Sequence, residues 1–170
     1  MNLPAPCIPE RFLPPLRIIT ERLEGSAVDW VITGSLGWAL HGIPLEIHDI
    51  DLQTDQPGAE RMDALLAEYS RQKLYWRPSE CIHSYFAVLE IEGITVEIMG
   101  AMQKRLPDGV WEEPTDVTRY REWVEYQGMR LPVLSLEYEH NAYLLMGRTE
   151  KARLLEPYLV TGGSSHDRTC

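Results

Sequence analysis

The sequence predicts an α+β fold: a small mixed β-sheet flanked by helices, with further helices at the C-terminal end. Three observations predict it. Apolar residues recur at helical spacing in some segments and alternate with a period of two in others. Glycine-containing turns at Glu92-Gly93 and Gln127-Gly128 divide the β-rich stretches into hairpins. The order helix, strand, helix, strand, helix, hairpin, strands, helices then requires strands from separate parts of the chain to share one sheet.

Each element has a local reason. In Pro9 to Ser26, Phe12, Leu16, Ile19 and Leu23 fall on one helical face, and Pro14 and Pro15 suit a first turn. "AVDWVITG" is a short β-rich run ending at Gly34, and "SLGWALHG" reads as one to two helical turns from Ser35 to Gly42. "IHDIDLQTD" (47–55) alternates as a strand with one apolar and one mixed face. "PGAERMDALLAEYSRQK" (57–73) predicts a helix with Met62, Leu65, Leu66 and Tyr69 on one side. Residues 84–100 and 122–135 read as hairpins, and residues 136–159 as two helical stretches broken near Gly147. A single domain is expected over 1–161, and "GGSSHDRTC" (162–170) as a disordered tail.

Composition narrows the function. The 170-residue chain carries a formal charge of −10, and its sixteen Lys and Arg are scattered, which argues against wrapping extended nucleic acid. No apolar run reaches the roughly 18 residues of a membrane span. The start resembles no secretory signal, and Cys7, Cys81 and Cys170 form no metal or disulfide spacing, so reduced thiols in the cytoplasm are expected. His41, His48 and His83 share no ligand spacing, although His48 lies near enough to Asp49 to reach a substrate. The five tryptophans read as core or rim packing.

One segment stands out against this background. Asp49 and Asp51 lie two apart in an otherwise apolar strand, so both carboxylates aim into one space. Aspartate is a poor strand former, and adjacent like charges repel. Glu97, between Val96 and Ile98, is a third acid inside an apolar strand. Three converging carboxylates suit Mg²⁺ or Mn²⁺, which bind oxygen ligands together with substrate phosphates. Two such ions can support an in-line phosphoryl displacement. Thirteen residues separate Asp49 from Ser35. At Gly34-Ser35 a strand gives way to a helix, where exposed N–H groups and a bare glycine admit phosphate. Asp49, Asp51 and Glu97 are therefore the expected metal and catalytic residues, with Gly34 and Ser35 on the triphosphate.

The motifs "TGS" (33–35), "HDIDL" (48–52) and "VEI" (96–98) resemble the DNA polymerase β-like nucleotidyltransferase superfamily. "LPVLSLEYEHNAYLLMGRTEKARLLEPYL" resembles the C-terminal helices of its small bacterial members, such as lincosamide and minimal nucleotidyltransferases and AbiEii-type proteins. The resemblance covers residues 28 to 160. It implies two divalent ions and transfer of a nucleoside monophosphate from an NTP, ATP foremost, to a hydroxyl of a small molecule or protein. It also places Arg148 and Lys151 where relatives carry a basic nucleotide ligand. Glu97 stands where many relatives have Asp, a reach longer by one methylene. A homodimer or a partner toxin is a further expected association.

Two classes of function stay open from the sequence. One is an Mg-dependent nucleotidyltransferase. The other is a non-catalytic nucleotide- or partner-binding member, such as an antitoxin. Three intact, mutually repelling acids favour the enzyme.

Overall fold

The computed structural model describes residues 5–159. The expected tail at 162–170, with Cys170, lies outside them. Phe12 completes a 3₁₀ turn, and helix α1 follows over Leu13–Leu23 with the two prolines in its first turn. Phe12, Leu16, Ile19 and Leu23 are all buried, as the helical spacing requires.

Seven strands form one sheet. They are β1 (Trp30–Thr33), β2 (Ile50–Thr54), β3 (Ser70–Arg77), β4 (Ile82–Ile91), β5 (Ile94–Lys104), β6 (Arg121–Tyr126) and β7 (Met129–Leu134). Their order is β3-β4-β5-β2-β1-β7-β6. β1 runs parallel to β7 and β2 parallel to β5, while the other neighbours are antiparallel. Helices α2 (Gly34–Leu40), α3 (Gln56–Leu65), α4 (Leu136–Leu145) and α5 (Thr149–Leu155) complete the fold. The mixed sheet, both glycine turns and the break at Gly147 agree with the sequence expectation.

Alternation along the central strands separates two faces. Ile32, Leu52, Val96, Ile98 and Leu131 join Leu16, Ile19, Ala59 and Met62 in the main core, so α1 and α3 cover one face. Asp55 starts α3 by accepting from the Gly58 N–H at 2.7 Å. A smaller cluster of Trp38, Ile43, Leu136 and Leu155 joins α2 to α4 and α5. Ser135 caps α4 by accepting from the Tyr138 N–H at 3.2 Å.

Four boundaries differ from the sequence expectation. The helix expected over 57–73 stops at Leu65, and β3 begins at Ser70. "SRQKLYWR" is an edge strand with most side chains in solvent, so it lacks the alternation that marks a half-buried strand. Its strand form comes from pairing with β4. Strand β2 begins at Ile50, leaving Asp49 one residue ahead of it, and α2 begins at Gly34 and ends at Leu40. Strand β5 continues past Gly100 to Lys104 through a bulge at Ala101, whose φ is 49°. There His83 pairs with Gln103 and Tyr85 with Gly100, so two steps on β4 match three on β5. Trp30 and Trp38 are buried as expected, whereas Trp76 and Trp123 are 41% and 47% exposed.

Gly100 lets α3 pack closely on β5. A Cβ there would lie 2.5 Å from the Ala59 Cβ and 3.0 Å from the Asp55 carbonyl oxygen. Gly100→Ala should therefore lower the unfolding free energy by about 1–3 kcal/mol through overpacking. Urea denaturation of the two proteins measures this, and equal midpoints would mean that α3 does not seat there.

Candidate active site

The strand registers build the site. Thr33 on β1 pairs with Asp51 on β2, and Asp51 pairs with Glu97 on β5. Paired residues on neighbouring strands share a face, so Thr33, Asp51 and Glu97 form one row across the sheet. Asp49 is half-buried, one residue before β2. It exerts the strongest charge repulsion on both Asp51 and Glu97. Asp51 and Glu97 thus share one row, and Asp49 stands just ahead of it, near enough for its charge to act on both.

Gly34 touches this row directly. Its φ is +65°, and a Cβ would overlap the Asp51 Oδ2 atom. Only glycine meets both demands. The Gly34 N–H donates to Glu139 Oε1 at 3.2 Å. Ser35 is the second residue of the seven-residue α2 and is half-buried. His48 is exposed, its Nε2 3.9 Å from Glu46, and is not among the residues lining the cavity.

Glu139 on α4 is the residue that the sequence reading missed. It is 4% exposed, and it also accepts from the Thr33 hydroxyl and the Trp38 indole N–H. One carboxylate thereby holds the end of β1, the turn at Gly34 and the body of α2. The signal was present: Leu136 and Ala142 are buried three residues on either side, so Glu139 is an acid on an apolar stripe.

Burial, reinforced by the charges of Asp49, Glu97 and Glu139, pushes the Asp51 carboxyl up to about 7. Burial and then Asp49 raise Glu97, against a weaker opposing pull from Arg77. Burial lifts Glu139 to about 7, although bonds from Thr33, Trp38 and Gly34 pull the other way. Lys151 is the cation that acts on both Asp51 and Glu139. Such uncompensated carboxylate charge, made of hard oxygen donors, fits a divalent ion that completes its shell with water and phosphate. Among the described residues no three His, Cys, Asp or Glu are gathered into a ready-made metal cage. An ion bound here would therefore draw part of its shell from its substrate.

A cavity of about 250 Å³ opens beside the row, between the sheet and α4. Asp51, Glu97, Glu139, Arg148 and Lys151 all line it. The Lys151 Nζ stands 5.5 Å from the centre of the Tyr143 ring. Sequence-distant elements thus bring Gly34, the three carboxylates and the two C-terminal cations around one space.

The raised carboxyls make the metal-free protein pH-sensitive in a defined direction. Asp51 binds its proton more tightly folded than unfolded, its pKa rising from 3.8 to about 7. Its contribution to stability is complete below the unfolded value and is lost as the pH rises through the folded one. Glu139 acts with the same sign. The melting temperature of the metal-free protein should fall between about pH 4 and pH 7, the interval between the unfolded and folded values. Asp51→Asn should flatten that fall and leave the share due to Glu139. Equal slopes would show that Asp51 titrates as an ordinary aspartate.

Comparison with known proteins identifies the family and the fold. The family model of the aminoglycoside-2''-adenylyltransferases matches residues 15–156. A Thermotoga maritima structure, provisionally described as a nucleotidyltransferase, is 49% identical. That match covers 89% of this chain and 94% of the other, with a TM-score of 0.80. The lincosamide antibiotic adenylyltransferase LnuA, solved with lincomycin bound, is 18% identical over 85% of this chain and 96% of its own. Its TM-score of 0.54 marks a shared fold. No curated protein matches. A family match across most of the chain and this nucleotidyltransferase fold show what the carboxylate row belongs to: the chain is a nucleotidyltransferase of the aminoglycoside-2''-adenylyltransferase family.

Proposed function

We propose that the protein transfers a nucleoside monophosphate, adenylate foremost, from an NTP to a hydroxyl of a small molecule, releasing pyrophosphate. One observation carries the proposal: Asp51 and Glu97 are register partners on parallel strands, with Gly34 pressed against the Asp51 carboxylate. The family's description as adenylyltransferases supports the group transferred and the small-molecule acceptor.

Asp49, Asp51 and Glu97 would hold Mg²⁺ or Mn²⁺, which when bound neutralises charge on the phosphate oxygens. The remaining steps belong to side chains. Lys151 and Arg148 line the cavity with positive charge and attract the triphosphate. The Gly34 turn, held by Glu139 and packed on Asp51, sets Ser35 at the start of α2, where it would meet the triphosphate. The acceptor oxygen attacks the α-phosphorus, the bond to the β-phosphate oxygen breaks, and pyrophosphate leaves with the electron pair. Glu97 takes the acceptor proton as general base.

Three measurements test this function. With ATP labelled at the α-phosphorus and a cell extract as acceptor source, label should move to a product. Transfer only from ATP labelled at the γ-phosphorus would mean kinase-like chemistry. Glu97→Gln should lose about a hundredfold or more in turnover while keeping much of the NTP affinity, because it removes the proton acceptor and one metal carboxylate but leaves Asp49, Asp51 and the contacts on the Gly34 side. In a separate thermal-shift titration, Mg²⁺ should raise the melting temperature of the wild type, and Asp49→Asn should abolish the rise. An unchanged rise in Asp49→Asn would place the ion elsewhere.

A further inference from the structure

Gln53 lies two residues beyond Asp51 on β2 and pairs in register with Met99, itself two residues beyond Glu97 on β5. It is 2% exposed and lines the cavity, yet its side-chain Nε2 has no hydrogen-bond partner among the described residues. A buried amide without a partner is destabilising, and native proteins retain few of them. Because Gln53 also lines the cavity, a group that enters beside the reacting carboxylates can reach its amide.

The rest of the wall defines that group. Met99, Met102 and Met146 give it an adaptable apolar lining. The Lys104 ammonium at the buried end is already engaged by the Tyr138 hydroxyl at 2.7 Å and Glu112 at 3.0 Å, so it calls for no anion. The acids that line the space are Asp51, Glu97 and Glu139, which belong to the phosphate site and the α2 turn. Among the described residues no other carboxylate lines it to receive an ammonium group, and exposed Arg148 and Lys151 repel a polycation. The cavity of about 250 Å³ also receives the phosphate chain under the nucleotidyl-transfer reading, so the part left beside Gln53 and the methionines is small.

Resting on the nucleotidyl-transfer reading, we infer that the acceptor is a compact, uncharged hydroxyl compound about one ring in size, with Gln53 as its specificity-determining residue. Gln53 bonds an oxygen of the acceptor and holds its reacting hydroxyl toward Glu97. An amide can donate to or accept from a hydroxyl, so the match holds for either orientation of the side chain. Polycationic amino sugars, for which the family is named, do not suit this wall.

The test passes a small-molecule cell extract over cation- and anion-exchange resins. Each fraction, and tobramycin as a defined polycation, is offered to the full-length protein with Mg²⁺ and ATP labelled at the α-phosphorus. Label should appear with the fraction that neither resin retains. Label confined to retained fractions or to tobramycin overturns the inference and leaves nucleotidyl transfer standing, whereas no label from any source removes both. With the neutral acceptor purified, Gln53→Leu should raise its KM about tenfold or more and leave the KM for ATP within about twofold. A raised KM for ATP instead would make the cavity a nucleobase pocket and overturn the inference. The melting temperature of ligand-free Gln53→Leu should equal or exceed that of the wild type, since an orphan amide is removed. A marked drop would mean that the amide is a structural bond and would also count against it.

Discussion

The buried carboxylate of Glu139 ties the C-terminal helices to the turn between β1 and α2. Taking a carboxylate out of water is costly unless donors replace the lost hydration. Thr33, Gly34 and Trp38 supply three donors, two of which come from the turn itself. The edge-on contact of Trp38 with Tyr143, with ring centres 5.7 Å apart, adds a second bond between the same elements. With α4 seated in this way, the cavity has a roof and Gly34 is kept against Asp51. The site therefore depends on a residue that need not touch the nucleotide.

The protein treats buried charge differently inside and outside the carboxylate row. Lys104 is almost fully buried and has Thr115, Tyr138 and Glu112 around its ammonium. Burial works against its charged form, but Tyr138 and Glu112 outweigh that and raise its pKa. Asp51 has no such compensation, because its neighbours Asp49, Glu97 and Glu139 all repel it and Lys151 offsets them only in part. A fold selected for stability alone would pair or replace these acids. Retaining them unpaired at the edge of a cavity is the expected signature of a site that works on charged substrates.

The bulge at Ala101 links the strand to the pocket. In an unbroken strand Met102 and Lys104 would follow Ile98 and Gly100 onto the face that packs against α3. The extra residue reverses the alternation, so both side chains follow Met99 to the cavity. One backbone irregularity thus turns the end of β5 from core strand into pocket wall.

Much of the framework is written locally. Apolar spacing over Phe12–Leu23, the glycine turns at Gly93 and Gly128, and the acids embedded in "HDIDL" and "VEI" depend only on near neighbours, so the sequence by itself determined the mixed sheet and set acids into two of its neighbouring strands. Strand β3 has no periodic signal because it sits exposed at an edge, and only its pairing with β4 makes it a strand. Gln53 and Glu139 look like ordinary polar residues until sheet and helix close over them. The end of β5 was equally hidden, since a bulge depends on the partner strand. What the tertiary structure decided is the enclosure of the site: which polar groups lose water, and which of them find partners, is set by contacts between segments far apart in the chain.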